Sequence, residues 1–99
     1  MGYAKMATLI KEARREMDNV MFLDAGDSFH GQTIANINEG EAISHILDLM
    51  DLDALTLGNH DFNYGQSRLE ELDYMSNFPF LAANLSREME KRFHMLKII

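Results

Sequence analysis

The sequence predicts an α/β protein with a parallel sheet. Three short apolar runs alternate with stretches of helical periodicity, the connections between them are short, and polar glycine-containing loops follow the first two runs. Parallel neighbours require crossover connections, and the intervening helical stretches supply them. From Tyr3 to Met17, the residues Tyr3, Met6, Ala7, Ile10, Ala13 and Met17 recur at three- and four-residue steps among charged neighbours, as in an amphipathic helix. Val20 to Leu23 is a continuous apolar run, as expected of a strand covered on both faces. Asn38, three residues before Glu41, resembles a capping box that would open a second helix through Ala42, Ile43, Ile46, Leu47 and Met50.

Ala54 to Leu57 reads as a second strand stopped by Gly58. Ser67-Arg68-Leu69-Glu70 reads as a capping box for a third helix through Leu72 and Met75. After Pro79, Phe80 to Ala83 reads as a third strand, and the apolar tail from Phe93 to Ile99 could begin a fourth. The apolar ending Lys97-Ile98-Ile99 leads us to expect a truncated domain.

Composition narrows the function classes. The chain has 99 residues, 46% hydrophobic and 25% charged, within the ordinary range for a small packed domain. A net charge of -7 without a basic cluster argues against a nucleic-acid polymer as partner. No apolar run is long enough to span a bilayer, so no membrane partner is expected. The absence of cysteine removes disulfides, thiolate metal sites and cysteine nucleophiles. Acidity does not exclude a small phosphate substrate, because bound divalent cations can invert the field of a carboxylate-lined site.

Ligands of open parallel sheets bind beyond the carboxyl ends of the strands. Two loops fall there: Gly26-Asp27-Ser28-Phe29-His30-Gly31 and Gly58-Asn59-His60-Asp61-Phe62-Asn63-Tyr64-Gly65. Facing one another across neighbouring strands, they would offer carboxylate, amide and imidazole donors suited to Mn, Mg, Fe or Zn. A pair of such cations needs a bridging anion and activates water for in-line attack on phosphorus, and Asp27 could be that bridge.

These loops resemble the second and third motifs of calcineurin-like metallophosphoesterases. Together with Phe80-Leu81-Ala82-Ala83-Asn84-Leu85, they are similar to the 5'-nucleotidase and 2',3'-cyclic-nucleotide phosphodiesterase branch. The resemblance implies that residues 1–99 are part of a four-layer α/β sandwich domain, a metal-dependent hydrolase of nucleotides or other small phosphoesters using two divalent ions. It implies that Asp27 bridges the metals, that Asn59 binds the second through its amide oxygen, and that His60 contacts the phosphate. The branch often has an aspartate where Asn63 stands. An amide can orient the His60 ring but cannot stabilise imidazolium as an anion does.

The family's first motif, Asp-x-His, and its last histidines do not occur in this sequence, so the segment is expected to be inactive alone. The branch's second, nucleotide-binding domain is also missing, and the parent is expected to be secreted or at the cell surface. A competing class is a noncatalytic module that self-associates through an open sheet edge, which would make the chain a homo-oligomer. A receiver-like phosphoacceptor explains Gly58-Asn59-His60-Asp61 poorly.

Simpler structural roles are expected for His30, His45, His94, Asp24 and Asn84. Phe62 and Tyr64 are expected to pack their loop. The eight methionines fall largely on helix stripes and are expected to be core filler.

Overall fold

The structure, a computed structural model, describes residues 2–31, 33–82, 91 and 97–98. Helix α1 spans Tyr3–Glu16 and is followed by strand β1, Leu23–Asp24. Helices α2 (Thr33–Ile37) and α3 (Glu41–Leu49) lead to β2, Ala54–Thr56. A 3-10 turn at Asn59–Phe62 and helix α4, Gln66–Met75, lead to β3, Phe80–Ala82, and β4 is Lys97–Ile98. The strands pair in the order β1-β2-β3-β4, and every pair is parallel. The predicted α/β class and parallel sheet are therefore both observed, including the strand in the apolar tail.

The core lies between the sheet and the helices that cross it. Leu55 and Phe80 of the two inner strands are fully buried, with Ile43 and Leu47 from α3 and Leu69 and Leu72 from α4. Phe29, from the loop after β1, enters the same cluster, its ring centroid 5.7 Å from that of Phe80. The loop is thereby anchored by burial of a large apolar side chain, which stabilises by about 1.5–3 kcal/mol. Helix α1 buries none of its residues and is held mainly at its ends. Tyr3 packs on the core, and the Arg14 guanidinium donates to the carbonyls of Met50 at 3.0 Å and Asp51 at 2.8 Å. Those carbonyls lie just past the end of α3, where helical partners are missing.

Several local expectations differ from what forms. The first strand comprises Leu23–Asp24 rather than Val20 to Leu23, because pairing with β2 begins only at Leu23 opposite Ala54. Before it, Asp53 holds Phe22 twice: its carboxylate accepts the Phe22 N–H at 2.7 Å and its own N–H donates to the Phe22 carbonyl at 2.9 Å. Neither capping box forms. Helix α3 starts after Gly40 at φ 91°, with the Asn38 side chain accepting the Ala42 N–H at 3.1 Å. Helix α4 starts after Gly65, also at φ 91°, so Ser67 lies inside the helix and Glu70 pairs with Gln66 instead. Glycine reaches this left-handed region without the steric cost a Cβ brings, which leaves no helix-initiating role to Ser67. Arg68 of α4 clasps the turn before α3, donating to the carbonyls of Asn38 at 2.9 Å and Glu39 at 3.2 Å. Asn84 and His94 lie outside the described residues.

Candidate metal and phosphate site

The loop after β1 and the loop after β2 meet at the carboxyl ends of adjacent strands, and their meeting is backbone against backbone. A Cβ on Gly26 would overlap the Thr56 carbonyl oxygen and come within 2.7 Å of the Gly58 nitrogen. A Cβ on Gly58 would collide with the Asp27 carboxylate and come within 2.8 Å of the Asp27 nitrogen. Two glycines thus allow an approach that side chains would prevent. Gly26 has φ 101° and Asp27 φ 59°, the latter a left-handed conformation that non-glycine residues adopt uncommonly and aspartate more readily than most.

Three aspartates are distributed around this contact. Asp24 binds its own loop, accepting the Gly26 N–H at 2.8 Å and the Ser28 hydroxyl at 2.7 Å, in keeping with the structural role expected of it. Asp61 is buried, at 1% exposure, and accepts three backbone N–H groups. Its Oδ2 takes those of Gly58 and Asp27, both at 2.9 Å, and its Oδ1 takes that of Phe29 at 3.1 Å. Asp27 itself is exposed, and its Oδ1 accepts the His60 N–H at 2.9 Å. That bond joins the candidate bridging carboxylate to the turn carrying Asn59 and His60, both exposed.

The His60 ring is held on more than one side. Asn63 Nδ2 lies 3.1 Å from His60 Nδ1. With the amide in this orientation Asn63 donates, so Nδ1 accepts and the ring proton sits on Nε2. His30 stacks on the same ring with centroids 5.9 Å apart and planes 12° from parallel, and it also meets Tyr64 at 5.3 Å. The Tyr64 hydroxyl donates to Asn36 Oδ1, which also accepts the Gly31 N–H at 3.2 Å. Desolvation, and then the charge of Glu39, raise the Tyr64 phenol above its ordinary value.

The structure thus brings Asp27, Asn59, His60 and Asn63 into one locality, as the sequence led us to expect. It also adds contacts that the sequence did not disclose. His30 stacks beside His60, Tyr64 ties its loop to Asn36, and Asp61 spans both loops. The sequence signal for Asp61 was its three-residue spacing from Gly58, within which an aspartate can fold back on a backbone N–H. His45, by contrast, stands exposed on α3, 3.7 Å from Glu41 and away from the site.

The donor set fits part of a shell for hard divalent cations. Asp27 and Asn59 offer oxygen ligands, and the Asp27 carboxylate can pack against Gly58 because Gly58 carries no side chain to displace it. Among the described residues, no group of three or more His, Asp or Glu gathers as a self-sufficient metal cluster. Additional ligands would have to join these two for a full shell.

Comparison with known proteins agrees with this geometry. The family model for calcineurin-like phosphoesterases matches residues 1–96. Mouse 5'-nucleotidase is 35% identical over 85 residues, which cover 85% of this chain and 15% of that protein. Snake venom 5'-nucleotidase of Naja atra is 38% identical over 85 residues, covering 85% of this chain and 16% of the relative. An apyrase of Tabanus yao is 29% identical over 92 residues, 93% of this chain and 17% of its own length. The chain therefore spans about a sixth of the relatives it matches. Calcineurin-like phosphoesterases use divalent metals to hydrolyse phosphoesters, and with its glycine-walled Asp27 and its Asn59-His60 turn at adjacent strand ends, this chain belongs to that family.

Proposed function

We propose that this segment supplies part of the active site of a two-metal phosphohydrolase acting on nucleotides, and that the segment is inactive by itself. The observation that carries the reading is the bond from His60 N–H to the Asp27 carboxylate, which fixes a candidate bridging ligand beside a candidate phosphate-binding imidazole. Asp27 would bridge the two ions and Asn59 would hold the second. Bound divalent cations supply charge neutralisation and an activated water. The protein's own share is positional. His60, protonated on Nε2 in the observed pairing with Asn63, can donate to a phosphate oxygen and stabilise charge accumulating there, or pass that proton to the leaving oxygen. Asn63 and the stacked His30 limit how that ring can turn.

The relatives' names support nucleotides as the substrate class, and venom 5'-nucleotidases among them support an exported parent. The test is phosphate release from AMP with Mn²⁺, by this chain and by the parent protein, each beside its Asp27→Ala variant. We expect no release by the chain above its variant. In the parent we expect release that Asp27→Ala abolishes and His60→Ala lowers about 10²- to 10⁴-fold. Parent activity indifferent to both substitutions would overturn the assignment of these residues. Release by the isolated chain that Asp27→Ala abolishes would overturn its inactivity.

A second reading concerns the sheet edge. Strand β1 is an outer strand of the described sheet, and Leu23 within it and Met21 just before it are 60% and 74% exposed. An open apolar edge invites pairing with another chain, so this segment would self-associate in solution. Light scattering that shows only monomers across a hundredfold rise in concentration would count against it.

A further inference from the structure

We infer that Asp61 is a positioning residue for the metal site, holding Asp27 in the one backbone conformation that presents its carboxylate; the inference rests on the reading of Asp27 as a metal ligand. A purely local role for Asp61 would be to close its own turn. Only one of its three bonds does that, the bond to Gly58 three positions back. The other two reach Asp27 and Phe29, 34 and 32 residues away in sequence, and both lie in the facing loop. The donors are backbone N–H groups, so the anion fixes the course of the chain on both sides of Ser28.

The geometry at Asp27 makes that tether necessary. At φ 59° its backbone is in the left-handed region, next to Gly26 at φ 101°, and neither conformation is favoured for a free chain with a side chain. Such conformations persist where the surroundings over-determine them. Here Asp27 is held from both ends: its N–H by Asp61 and its carboxylate by the His60 N–H. The turn that provides the second contact is itself held by Asp61 through Gly58. Burial of Asp61 among these donors, at 1% exposure, leaves its carboxylate to its own backbone partners rather than to a cation.

Replacing the carboxylate by a carboxamide separates these roles. Both oxygens of Asp61 accept, whereas asparagine has one acceptor oxygen and an NH₂ that would face an N–H donor. Asp61→Asn therefore keeps the volume while losing either the Phe29 bond or the Asp27 and Gly58 pair. Asp61→Glu keeps the charge and both acceptors.

The test uses the 99-residue chain and Mn²⁺ alone, read by paramagnetic broadening and hydrogen exchange of assigned backbone amides. In the wild type we expect protected amides at Asp27, Phe29 and Gly58, and broadening centred on Asp27 and Asn59. Asp61→Asn should lower the Mn²⁺ affinity about tenfold or more, in the range typical for supports of metal ligands, and release the Asp27 and Phe29 amides. Amides of α3 and α4 should stay protected, and Asp61→Glu should recover part of the affinity. Unchanged Mn²⁺ affinity in Asp61→Asn would overturn the inference while leaving Asp27 a ligand. Loss of the whole fold in both Asp61 variants would also overturn it, making Asp61 a general fold residue. Wild-type broadening centred away from Asp27 and Asn59, or unaffected by Asp27→Asn, would defeat the ligand reading and the inference with it. The wild-type exchange rates at Asp27 and Phe29 would then still show whether the tether exists, so the two failures are distinguishable.

Discussion

Gly26 and Gly31 have nearly the same backbone angle, φ 101° and φ 104°, but very different surroundings. A Cβ at Gly31 meets nothing within 4 Å, whereas one at Gly26 runs into the Thr56 carbonyl oxygen and the Gly58 nitrogen. Alanine at either position therefore incurs the same kind of conformational strain, about 1–3 kcal/mol for a backbone so placed. At Gly26 a second cost is added. The obstructing atoms are backbone on β2 and the loop after it, which cannot rotate away as a side-chain tip would, and overpacking of this kind costs about 1–3 kcal/mol more. A domain of this size is stable by only about 5–15 kcal/mol, so Gly26→Ala removes a substantial fraction. The difference between the variants should be at least about 1 kcal/mol, or about 4–8 °C in Tm for 60–100 residues. The assay is paired urea and thermal unfolding followed by circular dichroism. Gly26→Ala should also speed exchange of the His60 amide, since displacing Gly26 pulls the Asp27 carboxylate from it. Equal stability losses in the two variants would refute the argument that close contact between the loops is why Gly26 is a glycine.

Three further outcomes are expected. Phe29→Ala, removing a fully buried ring that packs on Phe80, should destabilise by about 3–5 kcal/mol, and a loss below about 1 kcal/mol in urea unfolding would show that the loop is not anchored by it. Arg68→Lys should cost about 1–2 kcal/mol by the same assay, because an ammonium cannot span the carbonyls of Asn38 and Glu39 as the guanidinium fork does, and wild-type stability would contradict that role. Burial, and then the nearby Asp24 carboxylate, raise the Tyr3 phenol above its ordinary 10.0. The folded chain therefore keeps a proton that the unfolded chain gives up, so this contribution to stability is fully present below pH 10 and is lost as pH rises through the raised value. Thermal unfolding of Tyr3→Phe should fall less steeply above pH 10 than that of the wild type, and parallel curves would remove Tyr3 from the explanation.

The sheet was legible because its inner strands are apolar runs with few alternatives. Ala54 to Thr56 and Phe80 to Ala82 are where the runs placed them, and Pro79, which cannot donate to a ladder, marks where β3 begins. Boundaries set by tertiary contact were not legible. The outer strand β1 starts late because its register with Ala54 decides it, not the apolar run from Val20. The short helix α2 offers five residues, too few for a 3.6-residue period to show. Both helix starts were misplaced for one reason: a side-chain pattern such as Ser67-x-x-Glu70 is visible in sequence, but the positive φ of Gly65 that sets the helix entry is not.

The site shows the same division in sharper form. Asp24, the last residue of β1, and Asp27 and Asp61, in the loops beyond the strand ends, are chemically identical residues, and nothing in the residue types alone ranks them as metal ligands. What separates them is the number of donors each meets at home. Asp61 faces three backbone N–H groups and is buried among them, and Asp24 is engaged by the Gly26 N–H and the Ser28 hydroxyl. Among the described residues Asp27 accepts the His60 N–H, and it remains exposed. A carboxylate whose oxygens are taken by buried backbone donors is less available to a cation than one that is left exposed. The motif resemblance selected Asp27 by position. The hydrogen-bond distribution supports the proposal that Asp27 is the ligand, because it engages Asp24 and Asp61 within the protein and leaves Asp27 exposed.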